Sequence, residues 1–526
     1  MPAPESAVAD AVRPTRDRRS RLRRGLFVIS LVALVFHVAR FAGDNMGLAA
    51  MSAAMAIVDH GTLQIDPYAR DLREVSWRDG HFYSGMPPGK SFVAVPVYAL
   101  TRPILEPLSR ALMPVMRRLP EGPGRLFGEP WMVRRMLLML LVHVLVLIPV
   151  AALATVMLFD LIRSAVGDRP GALSLALLLP FGSLWWAHAA GGSARTFAAT
   201  LVLAMLWWVT TMRAGTAPRR RPWVTLGLGA AAGLAVATRY DMILMVIPLG
   251  IYALVRTSWR ERLGLAAGLA LMLGMAAVYH YAAFGSPVRT PYNVKLTPLL
   301  HIRQQYRGST DGLTWIEHCG EPMAVYNQDR RELRPANIYD DAVGGPTALL
   351  RFTPPLVLAL VGVVLLARAP TRAARELALV TGATVLGNFL AVSLIPFGGF
   401  MGSVGPRYMM PAVPFLMLLM APAWVALWPW ARRALLALCF VPGYLAAMFT
   451  ERVESPLAFG LVARFGLSNY VMSRAQEAHL GISPALSTTV CLAFWALMAA
   501  LAIHYLRPRH AARAAAVGGA GRDASA

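Results

Sequence analysis

Residues 44–98 read DNMGLAAMSAAMAIVDHGTLQIDPYARDLREVSWRDGHFYSGMPPGKSFVAVPVY. The stretch follows the first long apolar run, residues 25–43, and opens on a carboxylate, Asp44, where a helix of about 20 residues would have just crossed a bilayer. Ionisable groups at such a depth are rare and point to function. After Asp44 the pattern predicts a small-residue, Met-rich helix over 46–58 and a turn at Asp59-His60-Gly61. A short extended piece, TLQIDPY, and a second turn at Asp79-Gly80 come next. Pro87-Pro88-Gly89 then fixes the entry to another helix, since proline is tolerated in a first helical turn and glycine allows close approach.

The whole chain fits that membrane setting. Its 526 residues are 56% apolar and 15% charged, with a mean hydropathy of +0.51, which places it among polytopic membrane proteins. The net charge of +23 does not signal nucleic acid, because the arginines cluster in short segments between apolar runs, the pattern of membrane insertion. The basic N-terminus followed by GLFVISLVALVFHVARFAG resembles a secretory signal but reads as an uncleaved first span, because a membrane-embedded chain follows it. Lysine occurs only at Lys90 and Lys295, a bias that reads as genomic composition. The three cysteines, Cys319, Cys439 and Cys491, form no disulfide or zinc spacing.

Apolar runs near residues 25–43, 131–160, 171–190, 196–212, 223–239 and 241–255 are candidate spans, as are 263–283, 347–367, 376–395, 407–428, 434–450 and 486–506. The fold class is therefore all-α, a bundle of about twelve transmembrane helices. If residues 88–105 fail to cross, the arginine-rich turns at 213–221, 256–262, 368–375, 432–433 and 507–513 all join the basic N-terminus on the cytoplasmic side. Residues 88–105 then form a half-embedded outward helix, and the arginines of the 106–130 loop lie against lipid headgroups.

That topology divides the chain into a disordered basic tail, 1–24, a membrane domain, 25–506, and a disordered tail, 507–526. A first outward loop, 44–130, has helical content, and a second, 284–346, forms a lid. The site faces the extracytoplasmic side of the cell (inner) membrane. GLGAAAGLA, residues 227–235, reads as small residues that let helices approach and not as a nucleotide-binding loop.

Asp44 reads either as a helix-end cap or partner of Arg40, or as a general base taking a proton from a hydroxyl or amine that attacks a sugar. Asp66, Tyr68 and Tyr83 read as turn residues or as a wall of a sugar site. Lys90 is placed to meet a phosphate at a helix beginning, or else snorkels. His188 and Arg195 bracket AAGGSA between two spans, with His188 a binding or structural residue. Arg239 either pairs with Asp241 or serves the site. Arg407, delivered by the glycine-rich FGGFMGSVGPRYMMP, suits phosphate best, because guanidinium keeps its charge when desolvated. No His/Cys/Asp/Glu cluster has metal spacing, so neither metal nor cofactor is expected.

These residues, in this order, resemble the GT-C superfamily of integral-membrane glycosyltransferases, which take sugars from polyprenyl-phosphate carriers. Within it the resemblance is to the branch of protein O-mannosyltransferases and aminoarabinose transferases. It covers about residues 26–450 and is carried by DN, IVDHGTLQIDPY, DGHFYSGMPPGKSF and VPVY, with FGSLWWAHAAGG, FGSP and FGGFMGSVGPRYMMPAVPF in support. It implies a GT-C-like bundle in which Asp44 is the catalytic carboxylate, a polyprenyl-phosphate-linked hexose or pentose as donor, and an extracytoplasmic lipid, glycan or protein as acceptor. Such enzymes often carry Asp-Glu where this chain has Asp44-Asn45, and lysine before Pro-Pro where it has Met86. Lys90 would supply that charge one helical turn later. The competing readings are a transporter or flippase of lipid-linked glycans and an inactive scaffold relative. A transporter would line its path at the bilayer midplane.

Overall fold

The structure is a computed structural model and describes residues 5–38, 45–72, 74–116, 128–213, 222–298, 314–318, 320–326, 349–394, 407–448, 457–477 and 479–506. Asp44, Cys319, the tail 507–526 and much of the second loop fall outside these. Among the described residues, six helices are long and apolar enough to cross a membrane: Pro130–Val166, Ala194–Thr211, Trp259–Phe284, Arg372–Ser393, Pro429–Met448 and Pro484–Leu506. Five shorter apolar helices join them, so the described residues do not confirm the expected number of about twelve spans. The shortening has local causes. The run 171–190 breaks at Gly182-Ser183 into α6 (Arg169–Phe181) and α7 (Trp185–Ala190), and 407–428 enters its helix through the 3-10 turn Met410–Ala412. The chain is a multi-pass membrane protein.

Helix α1, Glu5–Phe36, takes in most of the segment expected as a disordered tail. It is anchored by Asp160 in α5 (Ile148–Val166). The Asp160 side chain is fully buried and meets Arg23 at 2.5 Å and Arg19 at 3.5 Å, and Trp207 Nε1 donates to it at 3.1 Å. A buried carboxylate needs such partners, because leaving it unpaired in a low-dielectric interior is costly. α5 continues α4 (Pro130–Val142) through one π-helical turn, His143–Leu147. Pro149 follows that turn; it has no N–H to give, and the ladder loosens just before it.

Helices α9 (Pro222–Thr238) and α11 (Trp259–Phe284) pack backbone to backbone. A Cβ on Gly229 would stand 2.1 Å from the Leu265 carbonyl oxygen, and one on Gly268 2.0 Å from that of Leu226. GLGAAAGLA is thus a helix-packing seam, as its small residues suggest. α9 leads to α10 (Ile243–Arg256) through a short corner at residues 239–242.

The first loop begins with α2, Asn45–His60. The piece expected to be extended instead forms a 3-10 turn at Asp66–Tyr68, because Pro67 sets a helical φ in its first turn. β1 (Val75–Arg78) and β2 (His81–Ser84) make a hairpin. Asp79 and Gly80 both have positive φ, 51° and 85°, as an Asp-Gly two-residue turn requires. α3 (Gly89–Met116) extends well past the expected 88–105, so part of the presumed 106–130 loop is helix. It is not among the six spanning helices. Its exposed apolar residues Leu100, Ile104 and Leu108 fall four apart on one stripe.

The all-α expectation needs one correction. A five-stranded antiparallel sheet, in the order β2-β1-β3-β5-β4, joins the two loops. Its second-loop strands are β3 (Lys295–Pro298), β4 (Trp315–His318) and β5 (Glu321–Tyr326). The seam between the loops is narrow. Ser76 pairs with Lys295, Ser76 Oγ donates to the Pro291 carbonyl at 2.8 Å, and Lys295 forms an ion pair with Glu74.

The glycine seam gives a direct stability test. Gly268→Leu is expected to destabilise the protein by on the order of 1–3 kcal/mol through overpacking. Gly274→Leu, on the same helix with nothing within 4 Å of its Cβ position, should leave the melting temperature in detergent nearly unchanged.

Candidate active site

Three arginines from separate elements meet on one aromatic ring. Arg195 lies in the first turn of α8, Ala194–Arg213, where Ser193 Oγ accepts from its backbone N–H at 3.2 Å. The turn before it, at Gly192, has φ +61°, and a side chain there would strike the His143 ring at 2.3 Å, so only glycine brings the chain past the π turn. Arg239 stands at the α9–α10 corner, and Arg407 and Tyr408 precede the helix Val413–Ala426. The guanidinium carbons of Arg195, Arg407 and Arg239 lie 4.3, 5.1 and 5.3 Å from the Tyr408 ring centroid.

Among the described residues one carboxylate, Asp241, balances them. Asp241 accepts from Arg239 Nε and Nη2, both at 2.9 Å, in a fork-to-fork pair. Arg195 is 5% exposed, and its Nε and Nη2, together with Arg407 Nε, are buried with no hydrogen-bond partner among the described residues. Donors buried and unmade cost free energy. A cluster of three cations and one anion with unused donors is chemically an anion site.

The surrounding groups register this field. Burial alone would push the Tyr408 phenol up, but Arg407, Arg195 and Arg239 hold it below its ordinary value. Burial would likewise raise Asp241, yet the Arg239 guanidinium keeps its carboxyl below the usual range. Tyr292, from the root of the second loop, is raised by burial. Its ring meets Tyr240 edge-on at 5.9 Å.

The sequence-predicted site residues divide into two groups. Arg239 and Arg407 are at the cluster. Lys90 adjoins it through its neighbour: a Cβ on Gly89 would stand 2.5 Å from the Thr238 backbone nitrogen, one residue before Arg239. Lys90 itself is buried in the first turn of α3. Ser91 Oγ donates to the Ala50 carbonyl of α2 at 3.1 Å, so the helix that starts directly after Asp44 packs on the same turn. Asp44 is outside the described residues.

The remaining four lie elsewhere. The Tyr68 hydroxyl donates to Asp59 Oδ2 at 2.8 Å, and Asp59 also takes Tyr98 at 2.9 Å and Arg102 at 3.0 Å. Asp66 accepts from His81 Nδ1 at 2.8 Å and from the Phe82 N–H at 2.7 Å, holding the base of the hairpin. Tyr83 is buried edge-on against Phe284 at 5.6 Å. His188 is buried in α7, and its carbonyl accepts from the Ser193 N–H at 2.9 Å, shaping the turn that delivers Arg195.

Arg195 and Tyr408 are the functional candidates that residue-by-residue reading left without a role. A signal was present: GGSAR and GPRY are both glycine-bearing turns that place arginine at the start of an apolar run. The far ends of the same helices are marked differently. Trp223, Trp259, Trp428 and Trp430 are exposed there, near Arg256 paired with Glu376 and Arg432 paired with Asp168 at 3.0 Å. The 17 residues of α9 separate the Arg239 corner from Trp223 by about 25 Å at a rise of ~1.5 Å per residue. That is close to the thickness of a hydrocarbon core.

No protein-family model matches the chain, and no curated protein matches it. Among solved structures it is similar to ArnT from Cupriavidus metallidurans in the apo state, at 18% identity and a TM-score of 0.43, covering 91% of this chain and 75% of that one. It is also similar to the same protein bound to undecaprenyl phosphate, at 17% identity and a TM-score of 0.42, covering 91% and 76%. At these values the likeness carries no residue assignment.

The arginine cluster predicts a pH signature. Asp241→Asn is expected to cost on the order of 3 kcal/mol at neutral pH by leaving Arg239 unpaired. Because the folded carboxyl titrates below its unfolded value, the stability it contributes is complete above ~pH 4 and lost as pH falls through the depressed folded value. The gap between wild type and variant in thermal unfolding should therefore close only in acid.

Proposed function

We propose that the protein is a membrane glycosyltransferase that moves a hexose or pentose from a polyprenyl-phosphate carrier to an extracytoplasmic lipid, glycan or protein. The observation that carries this reading is the cluster of Arg195, Arg239 and Arg407 on Tyr408, with buried donors unused. It stands at the ends of apolar helices, where a lipid phosphate sits while its tail stays in hydrocarbon. The motifs shared with the GT-C superfamily support the same reading from the sequence.

In the reaction the acceptor hydroxyl or amine attacks the anomeric carbon, and the bond from that carbon to the phosphate oxygen breaks. The electron pair leaves with polyprenyl phosphate, whose charge rises from about −1 to −2. A site with three guanidinium groups and one carboxylate favours the more charged product and the transition state leading to it. The acceptor proton goes to Asp44. Asp44 takes this role by its match to the catalytic carboxylate of the GT-C first loop, while Asp59, Asp66, Asp71 and Glu74 of the same loop are each bound to a cation, a phenol or a backbone N–H. No metal or cofactor enters this scheme.

The exposed tryptophans and arginines at the opposite helix ends support an extracytoplasmic site, since basic residues collect on the cytoplasmic side. The cluster's place at one end also favours transfer over transport, which binds cargo near the midplane.

The test is release of undecaprenyl phosphate from undecaprenyl-phosphate sugars by purified protein in nanodiscs. Asp44→Asn should lower turnover ~10²-fold to 10⁴-fold with little change in binding, whereas Arg195→Ala should weaken undecaprenyl phosphate binding ~10-fold to 100-fold. Turnover indifferent to Asp44→Asn removes that residue from its role, and a wild type that neither binds nor turns over any such donor removes the reading.

A further inference from the structure

The corner that carries Arg239 and Asp241 is held by a hydrogen-bonded chain that reaches into the second loop. Tyr240 lies between the two, and its hydroxyl is 2.7 Å from His280 Nε2 near the end of α11. The other ring nitrogen, His280 Nδ1, is 3.3 Å from the Pro287 carbonyl oxygen. A carbonyl only accepts, so Nδ1 carries the proton and donates to Pro287. Neutral imidazole then presents a lone pair at Nε2, and the Tyr240 O–H must donate to it.

We infer that His280 is a positioning residue for the anion site, locking the Tyr240 hydroxyl and so fixing Arg239 against the root of the second loop. Pro287 follows Gly285, which has φ +74° and ends α11, and the chain then runs through the turn Pro291–Val294 into β3. A second tie reinforces the first, because Tyr292 of that turn packs edge-on against Tyr240 at 5.9 Å. Movement of the loop root is therefore felt at Tyr240, one residue from the guanidinium that is forked to Asp241. The role proposed for Arg239 rests on the glycosyltransferase reading; the mechanical link does not.

Hydrogen exchange on the full chain in phosphatidylglycerol nanodiscs separates this from simple packing. Peptides reporting the Met242 and Asn293 amides, which are bonded to the Arg239 and Thr290 carbonyls, should exchange about fivefold to tenfold faster in Tyr240→Phe and in His280→Phe. His280→Gln keeps one donor and one acceptor and should restore much of the protection. If His280→Phe protects as well as wild type, or Gln does no better than Phe, the ring only fills space and the inference is overturned.

A second arm uses undecaprenyl phosphate as the probe in native mass spectrometry. Tyr240→Phe should weaken its binding about tenfold, and an unchanged affinity overturns the link to the anion site. Should wild type itself not bind the probe, the glycosyltransferase reading fails, while the exchange arm still decides whether His280 positions the corner.

Discussion

Like charges brought together out of water must be paid for, and here that cost is met by geometry. Arg195, Arg239 and Arg407 approach one tyrosine ring from three elements, while Asp241 neutralises one of them. The ring offers its negative π face and the carboxylate its charge, which leaves a net positive charge among the described residues of the cluster. Every neighbouring feature serves this arrangement: the glycine turn that passes His143, the Gly89 contact with Thr238, and the corner between α9 and α10.

The first loop and the start of α4 are tied together by their own polar groups. Asp59 collects two phenols and two guanidinium groups, and Arg135 reaches Asp71, Ser52 and the Tyr68 carbonyl. Each of these guanidinium groups is matched to a carboxylate, so the networks hold the first loop in shape, although Arg134 Nε, Arg135 Nε and Asp71 Oδ1 stay without a partner among the described residues. Arg195, by contrast, leaves both Nε and Nη2 idle, and its neighbour on the Tyr408 ring is another arginine and not a carboxylate of its own.

Much of the fold is legible in the sequence because bilayer helices need long apolar runs and their ends carry the charges. α2, the glycine seam of α9 and the Asp79-Gly80 hairpin turn follow from local rules. The sheet was hidden because β1 and β3 are separated by more than 200 residues, and β3 is too short to show alternation. The site was half legible for a similar reason. Arg407 is announced by its own glycine-rich turn, but the importance of Arg195 emerges only when α8 and α9 run antiparallel and bring residues 195 and 239 to the same end. For Tyr68, read as a turn residue or a site wall, the partner Asp59 is a local residue that sequence alone does not mark as an acceptor.

The clamp on Asp160 has a mechanical meaning. Two guanidinium groups one turn apart on α1 hold a carboxylate rooted inside the bundle, so α1 cannot slide along the bilayer normal without breaking both bonds. A shift by one turn is about 5.4 Å, too far for either arginine to keep its grip. The first helix is thereby given an axial stop that fixes its height against α5.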